Sequence, residues 1–176
     1  MNKNLLLFPF VLFSLILLIF LYLLIIDRNP SQIPSNLLNK KVPEFESKLL
    51  LKENKFISSN EFSKEIVLVN FFATWCVPCR EEHVFIKRFS DEKGIRVVGI
   101  NYKDKPKNTI KWLKNLGNPY SDVPMDKNGR IAIDWGVYGI PETFIINSKG
   151  IIKYRHVGPI TKKIYKKINL LIKEIE

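Results

Sequence analysis

Cysteine is nearly absent from this chain: Cys76 and Cys79 are the only two in 176 residues. No further sulfur or nitrogen ligands follow them at metal spacing, which argues against a structural zinc site. A pair two residues apart is also a poor structural staple, because so short a loop removes little entropy from the unfolded chain. Histidine is equally scarce, and neither His83 nor His156 stands at the spacing of a metallochaperone-type copper site. Both read as surface or hydrogen-bonding side chains. The stretch from Leu5 to Ile26 lacks charge altogether, and no Ala-x-Ala pattern follows it, which disfavours a cleaved signal peptide. Acidic residues are outnumbered, 17 against 28 basic, giving a formal net charge of +11. Yet there is no aromatic-interleaved basic stripe and no Gly-rich RNA-binding signature, so a nucleic-acid partner is not expected. Lysines are dense only at Lys103–Lys107 and Lys162–Lys167. They read as solvated faces, with anionic headgroups or acidic partners as their remaining use.

The chain has room for one compact domain and an appendage. Leu5–Ile26 comes first; as a helix these 22 residues would run about 33 Å, enough to cross a bilayer core. Lys3 and the α-amino group flank it on one side, and Arg28, Lys40 and Lys41 on the other, so charge alone leaves both orientations open. We expect an uncleaved anchor over residues 1–28, a polar two-proline linker over 29–41 and a folded domain over 42–176. Within the domain, Phe45 is expected to lie on the body of the fold. Short strands are expected at Leu49–Leu51 and Phe56-Ile57, and a brief helix after the cap-type residues Ser58–Asn60. Ile66–Phe72 is an apolar, β-branched run of buried-strand length. A helix from Arg80 carries Val84, Phe85 and Phe89 and is stopped by Gly94. Ile95–Asn101 reads as a second buried strand. Asn108 or Thr109 can cap a helix with Ile110, Leu113 and Leu116 on one face, ended by Gly117. A short helix over Ile131–Trp135 precedes strands at Thr143–Ile146 and Ile151–Val157, joined by a four-residue hairpin loop. Apolar positions from Ile160 to Ile175 mark a final amphipathic helix.

The two cysteines stand in Trp75-Cys76-Val77-Pro78-Cys79, between the buried strand and the helix. A Cys-x-x-Cys opening a helix is the arrangement that makes a dithiol redox-active. Free N–H groups and the dipole at the helix start stabilise a thiolate there. Cys76, at that end, is therefore the attacking thiol, and Cys79, one turn later and more covered, resolves the mixed disulfide. A second element is Gly136–Phe144, in which Ile140-Pro141 enters a strand although proline lacks the donor a central ladder needs. A cis bond there would turn the chain and present the Ile140 backbone beside the dithiol. Trp75, beside Cys76, with Trp135 and Tyr138, are candidates for an apolar rim or for ordinary core aromatics.

Phe71–His83 resembles the active-site segment of the thioredoxin superfamily. Gly136–Phe144 followed by Gly150–Gly158 resembles the CcmG/DsbE branch, the membrane-anchored thiol–disulfide proteins of cytochrome c maturation. The order β-α-β-α then β-β-α fits that resemblance: an α/β thioredoxin-like fold, a central mixed sheet flanked by helices, with an N-terminal transmembrane helix. The resemblance implies that Cys76 and Cys79 are the redox pair, that Pro141 is a cis-proline preceded by the substrate-holding Ile140, and that Glu82 and Glu142 are the acidic residues near the site. Asn70 departs from ordinary thioredoxin, which has a buried aspartate there, so Glu82 or Glu142 is expected to move the proton of Cys79; the alternative is that both glutamates face solvent. No cofactor or metal is implied beyond the Cys76–Cys79 disulfide. The implied partners are apocytochrome c or a cytochrome-maturation thiol protein, a membrane electron donor of the DsbD/CcdA kind, and the bilayer through residues 5–26. The implied location is a bacterial inner membrane, with the domain on the periplasmic side. Rival readings are a general periplasmic reductase, a reductant for cytochrome oxidase copper assembly, a copper-binding assembly factor, and a docking module with a structural disulfide.

Overall fold

The structure is a computed structural model that describes residues 3–25 and 36–175. The chain divides into two units, Met1–Gln32 and Ile33–Glu176. The first contains helix α1, Lys3–Ile25, with Pro9 near its start. Side chains are described for residues 8–24 of it, and every one is exposed, Phe8, Phe13, Leu18 and Leu24 among them. Among the described residues no helix is long and apolar enough to cross a membrane. The span expected over Leu5–Ile26 runs past those side chains at both ends. Most of the expected linker, residues 29–35, lies outside the described residues. Its last part, Asn36–Lys41, is hydrogen-bonded onto the domain: the Asn39 N–H donates to the Ile152 carbonyl and the Ile152 N–H to that of Lys40.

The second unit is built on a five-stranded mixed sheet in the order β5-β4-β3-β6-β7. Its strands are β3 (Val67–Phe72), β4 (Arg96–Tyr102), β5 (Met125–Asp126), β6 (Glu142–Ile146) and β7 (Ile152–Val157), and a separate hairpin pairs β1 (Glu46–Lys48) with β2 (Phe56–Ser58). The helices are α2 (Val77–Lys93), α3 (Pro106–Leu116), α4 (Arg130–Asp134) and α5 (Lys162–Ile175). β3 runs parallel to β4 and antiparallel to β6, and β6 and β7 form the expected hairpin. All six residues of β3 are buried because helices and loops cover both faces of the sheet.

The alternation along β3 decides what each face contains. Leu68 and Phe72 join Ile86 and Phe89 of α2 and Ile168 of α5 in one cluster. Val67, Val69 and Phe71 join Ile57, Phe62, Trp135 and Phe144 in the other. Each such side chain contributes roughly 1.5–3 kcal/mol when fully buried. Asn70 has the parity of Leu68 and Phe72, so it faces α2. In β6, Thr143 shares that face with Ile145, whereas Glu142 has the parity of Phe144 and faces the opposite cluster.

Several elements differ from the sequence expectation. The first strand is Glu46–Lys48, not Leu49–Leu51, because Ser47 points inward and bonds Met125 while Leu51 is exposed. α3 starts at Pro106, before Asn108: proline suits the first helical turn, where its missing N–H costs nothing. Its buried face is Thr109, Trp112 and Leu113, and Ile110 is exposed. On α2 the buried stripe is Cys79, Glu82, His83, Ile86 and Phe89, with Val84 exposed. The helix ends as expected at Gly94, whose φ of 63° only glycine adopts without strain. Phe45 lies on the body of the fold, as expected, its ring tilted against Phe62 and edge-on to Trp135.

Candidate active site

The site forms where β3 gives way to α2. Cys76 caps the helix, and Cys79 follows within its first turn. Their sulfurs are bonded in a disulfide, and the Cys79 N–H donates to Cys76 Sγ at 3.1 Å. The same free N–H groups are placed to stabilise a thiolate on Cys76 once the pair is reduced. The preceding turn is tied down by Asp104, which accepts from the Thr74 N–H at 2.6 Å and from Thr74 Oγ1 at 3.0 Å. Trp75 is 57% exposed, and its indole N–H donates to the Lys103 carbonyl at 3.3 Å. Tyr138 is 70% exposed. Trp135, the third rim candidate, is fully buried instead, packed against Phe45, Phe62, Phe71 and Phe144 on the far side of the sheet.

The Gly136–Phe144 segment arrives from across the sheet. The Ile140–Pro141 peptide is cis, and the Ile140 carbonyl oxygen lies 3.7 Å from Cys76 Sγ. The structure therefore brings Cys76, Cys79, Trp75, Ile140 and Pro141 to one place.

Both candidate glutamates are buried, so neither faces solvent. Glu82 stands one helical turn after Cys79 on the same buried stripe. One of its oxygens accepts from Asn70 Nδ2 at 2.8 Å, and the other from the Ile160 N–H at 2.8 Å. No cation approaches it among the described ion pairs. Burial pushes its carboxyl up from 4.5 to about 7, against the two hydrogen bonds that favour the charged form. Asn70 links this carboxyl to two further groups: its Nδ2 also donates to Thr143 Oγ1 at 3.1 Å, and its Oδ1 accepts from the Tyr120 hydroxyl at 3.0 Å. Burial and the Glu82 charge hold the Tyr120 phenol well above its ordinary range. Tyr120 reaches Asn70 across Gly99, which pairs with Asn70 in the ladder; a Cβ at Gly99 would stand 2.7 Å from the Tyr120 ring.

Glu142 is held differently. Its Oε2 accepts from Arg155 Nε at 2.8 Å and lies 2.7 Å from the guanidinium's second nitrogen, with both side chains buried. Its Oε1 accepts from the N–H groups of Tyr138 and Gly139 at 2.8 and 3.4 Å. His83 also faces inward, its Nε2 2.8 Å from the Gly117 carbonyl, and burial holds its pKa below the ordinary value. His156 lies 3.2 Å from the Pro159 carbonyl and is lowered for the same reason. Among the described residues no group of three acidic, histidine or cysteine side chains is placed to hold a metal.

Sequence reasoning missed Arg155, Tyr120 and Thr143. Arg155 lies in a strand and reads as an exposed charge. Tyr120 carries no local signal that it will fold over Gly99.

The arrangement has known counterparts. The Redoxin family profile matches residues 37–169. The thiol:disulfide interchange protein DsbE of Vibrio cholerae is 39% identical over 166 residues, covering 93% of this chain and 90% of that protein. The DsbE of Escherichia coli K12 is 40% identical over 169 residues, covering 94% and 91%. Among solved structures, a thiol:disulfide interchange protein of the thioredoxin family from Chlorobium tepidum superposes with a TM-score of 0.63 at 26% identity, covering 77% of this chain and 94% of that one. A DsbF homologue from Corynebacterium diphtheriae gives 0.69 at 20% identity, covering 84% and 95%, a likeness of fold. The chain therefore belongs to the CcmG/DsbE family and is a thiol–disulfide oxidoreductase with a redox-active Cys76–Cys79 pair.

Proposed function

We propose that this protein is a membrane-tethered reductant of cytochrome c maturation, acting on the disulfide of the apocytochrome haem-attachment segment or of a partner thiol protein. The observation that carries the reading is the protonatable Glu82 carboxyl, built into the buried stripe one turn after Cys79. In the reduced protein the Cys76 thiolate attacks one sulfur of the substrate disulfide; that S–S bond breaks, one substrate cysteine leaves as thiolate, and a mixed disulfide forms. Cys79 must then lose its proton in a dry interior. Glu82, with a pKa of about 7 and no cation beside it, is matched to take that proton at neutral pH. The Cys79 thiolate attacks Cys76 Sγ, the second substrate cysteine is released, and the Cys76–Cys79 disulfide forms. Two electrons pass to the substrate, and an outside dithiol must restore the pair, which the membrane electron donor of the DsbD/CcdA kind would supply.

Ile140 supports a polypeptide substrate: neither its N–H nor its carbonyl bonds another backbone group among the described residues, leaving both for an extended chain crossing the dithiol. Exposed Trp75, Val77 and Tyr138 would flank that chain. The uncharged run of residues 5–26 in the sequence is the support for anchoring, and the family resemblance is the support for a domain on the periplasmic face of a bacterial inner membrane.

The test is a Cys79→Ala trap in the membrane of the native host, which stalls the reaction at the Cys76 mixed disulfide. Recovery of an apocytochrome or a cytochrome-maturation thiol protein on Cys76 supports the reading. A broad spread of exported proteins overturns it in favour of a general reductase.

A further inference from the structure

Arg155 takes no part in the exchange chemistry just described, yet it is a buried charged residue connecting β7 to the loop beside Cys76. Its place follows from the ladder: Arg155 pairs with Phe144 and stands diagonal to Glu142 on the same face of the sheet. From there its Nε donates to Glu142 Oε2 at 2.8 Å, and its second nitrogen donates to the Gly136 carbonyl at 2.8 Å. The guanidinium carbon lies 5.0 Å from the Tyr138 ring centre and 5.7 Å from that of Phe144. Glu142, so oriented, turns its other oxygen to the N–H groups of Tyr138 and Gly139. The ion pair thus grips the loop at Gly136, Tyr138 and Gly139, immediately before the Ile140 carbonyl that lies 3.7 Å from Cys76 Sγ. Planar, bidentate geometry of this kind is what arginine supplies and lysine does not.

We infer that Arg155 is a positioning residue that holds the Gly136–Ile140 loop ready to receive a substrate backbone, and that it thereby sets the preference for polypeptide disulfides over small-molecule disulfides. A small disulfide needs only to bring one sulfur to Cys76. A polypeptide must also pair with Ile140, and a misplacement of about 1 Å there is felt as a large loss of rate. The inference rests on the reading that the natural substrate is a polypeptide.

The experiment compares two substrates of the reduced full-length protein in detergent: a synthetic peptide with an internal Cys-x-x-Cys disulfide, and 5,5′-dithiobis(2-nitrobenzoate). In Arg155→Met, kcat/KM for the peptide is expected to fall at least tenfold more than for the small disulfide, mostly through KM. Arg155→Lys is expected to restore part of the difference. Equal losses on both substrates, or no loss on either, overturn the inference. If Arg155→Met does not fold, the double variant Arg155→Met with Glu142→Leu replaces the pair by apolar side chains of similar length. It must show the same selective loss, and wild-type selectivity in the double variant overturns the inference. A wild-type protein with no preference for the peptide would instead sink the polypeptide-substrate reading, which separates the two failures.

Discussion

Glu82 and Glu142 are both buried and both within a few residues of the redox loop, but they sit on opposite faces of one sheet and are neutralised by different means. Glu142 has an arginine against one oxygen and turns the other to the backbone of the loop. Glu82 has only amide donors, from Asn70 and Ile160, and burial raises its pKa to about 7. The same residue type is thus a structural clasp on one face and, in the proposed mechanism, the proton-exchanging group on the other. What separates them is a single cation, contributed by β7 to one face and absent from the other.

The largest effect should come from breaking the paired side. Glu142→Ala leaves the Arg155 guanidinium buried and uncompensated, which costs about 3–5 kcal/mol in urea unfolding at pH 7. A loss below about 1 kcal/mol would show that the clasp is not what holds the loop.

Glu82 should reveal itself through pH. Its folded pKa is raised, so between pH 4.5 and about 7 the native state keeps a proton that the unfolded chain has released. Stability from this group is therefore full below pH 4.5 and is lost as pH rises through 7, by about 3 kcal/mol in all. His83 and His156 act in the opposite sense: lowered by burial, they cost stability as pH falls below about 6.5. Subtracting the Glu82→Gln curve from the wild-type curve isolates the first contribution, and a flat difference between pH 4.5 and 8 would contradict it.

Smaller effects test the scaffold of the unpaired side. Gly99→Ala forces the Tyr120 ring off Asn70 and should cost about 1–3 kcal/mol, measured by thermal unfolding. Tyr120→Phe removes one hydrogen bond to Asn70 Oδ1 and should cost about 1 kcal/mol. If the glycine substitution cost less than the tyrosine one, the close approach would not be what positions the ring.

Much of this was legible before the fold was known, and for local reasons. The β3 run, the dithiol at a helix start and the hairpin of β6 and β7 are written in short stretches whose hydrophobic period and turn residues act within a few positions. Helix starts were less legible: α3 begins at Pro106 because of backbone chemistry, not at the polar residues Asn108 and Thr109. The site was legible down to its candidates but not their roles. Asn70 stood out through the family resemblance, as a departure from the buried aspartate of ordinary thioredoxin, but its partners Glu82, Tyr120 and Thr143 come from three other parts of the chain. The assignment of Arg155 to Glu142 depends on the β6–β7 register, which no local pattern announces. Trp135 shows the converse: an aromatic near the redox loop in sequence, it is on the far side of the sheet in space.

The central claim is that Glu82 accepts the proton of Cys79 when the mixed disulfide is resolved. The direct measurement is the rate of that step against pH, by rapid-mixing release of a fluorescent peptide from Cys76, in wild type and in Glu82→Gln. The wild-type rate should rise with an apparent pKa near 7, and Glu82→Gln should lose that inflection and slow the step by about 10²-fold or more at pH 7. An unchanged inflection and an unchanged rate in Glu82→Gln would contradict the account.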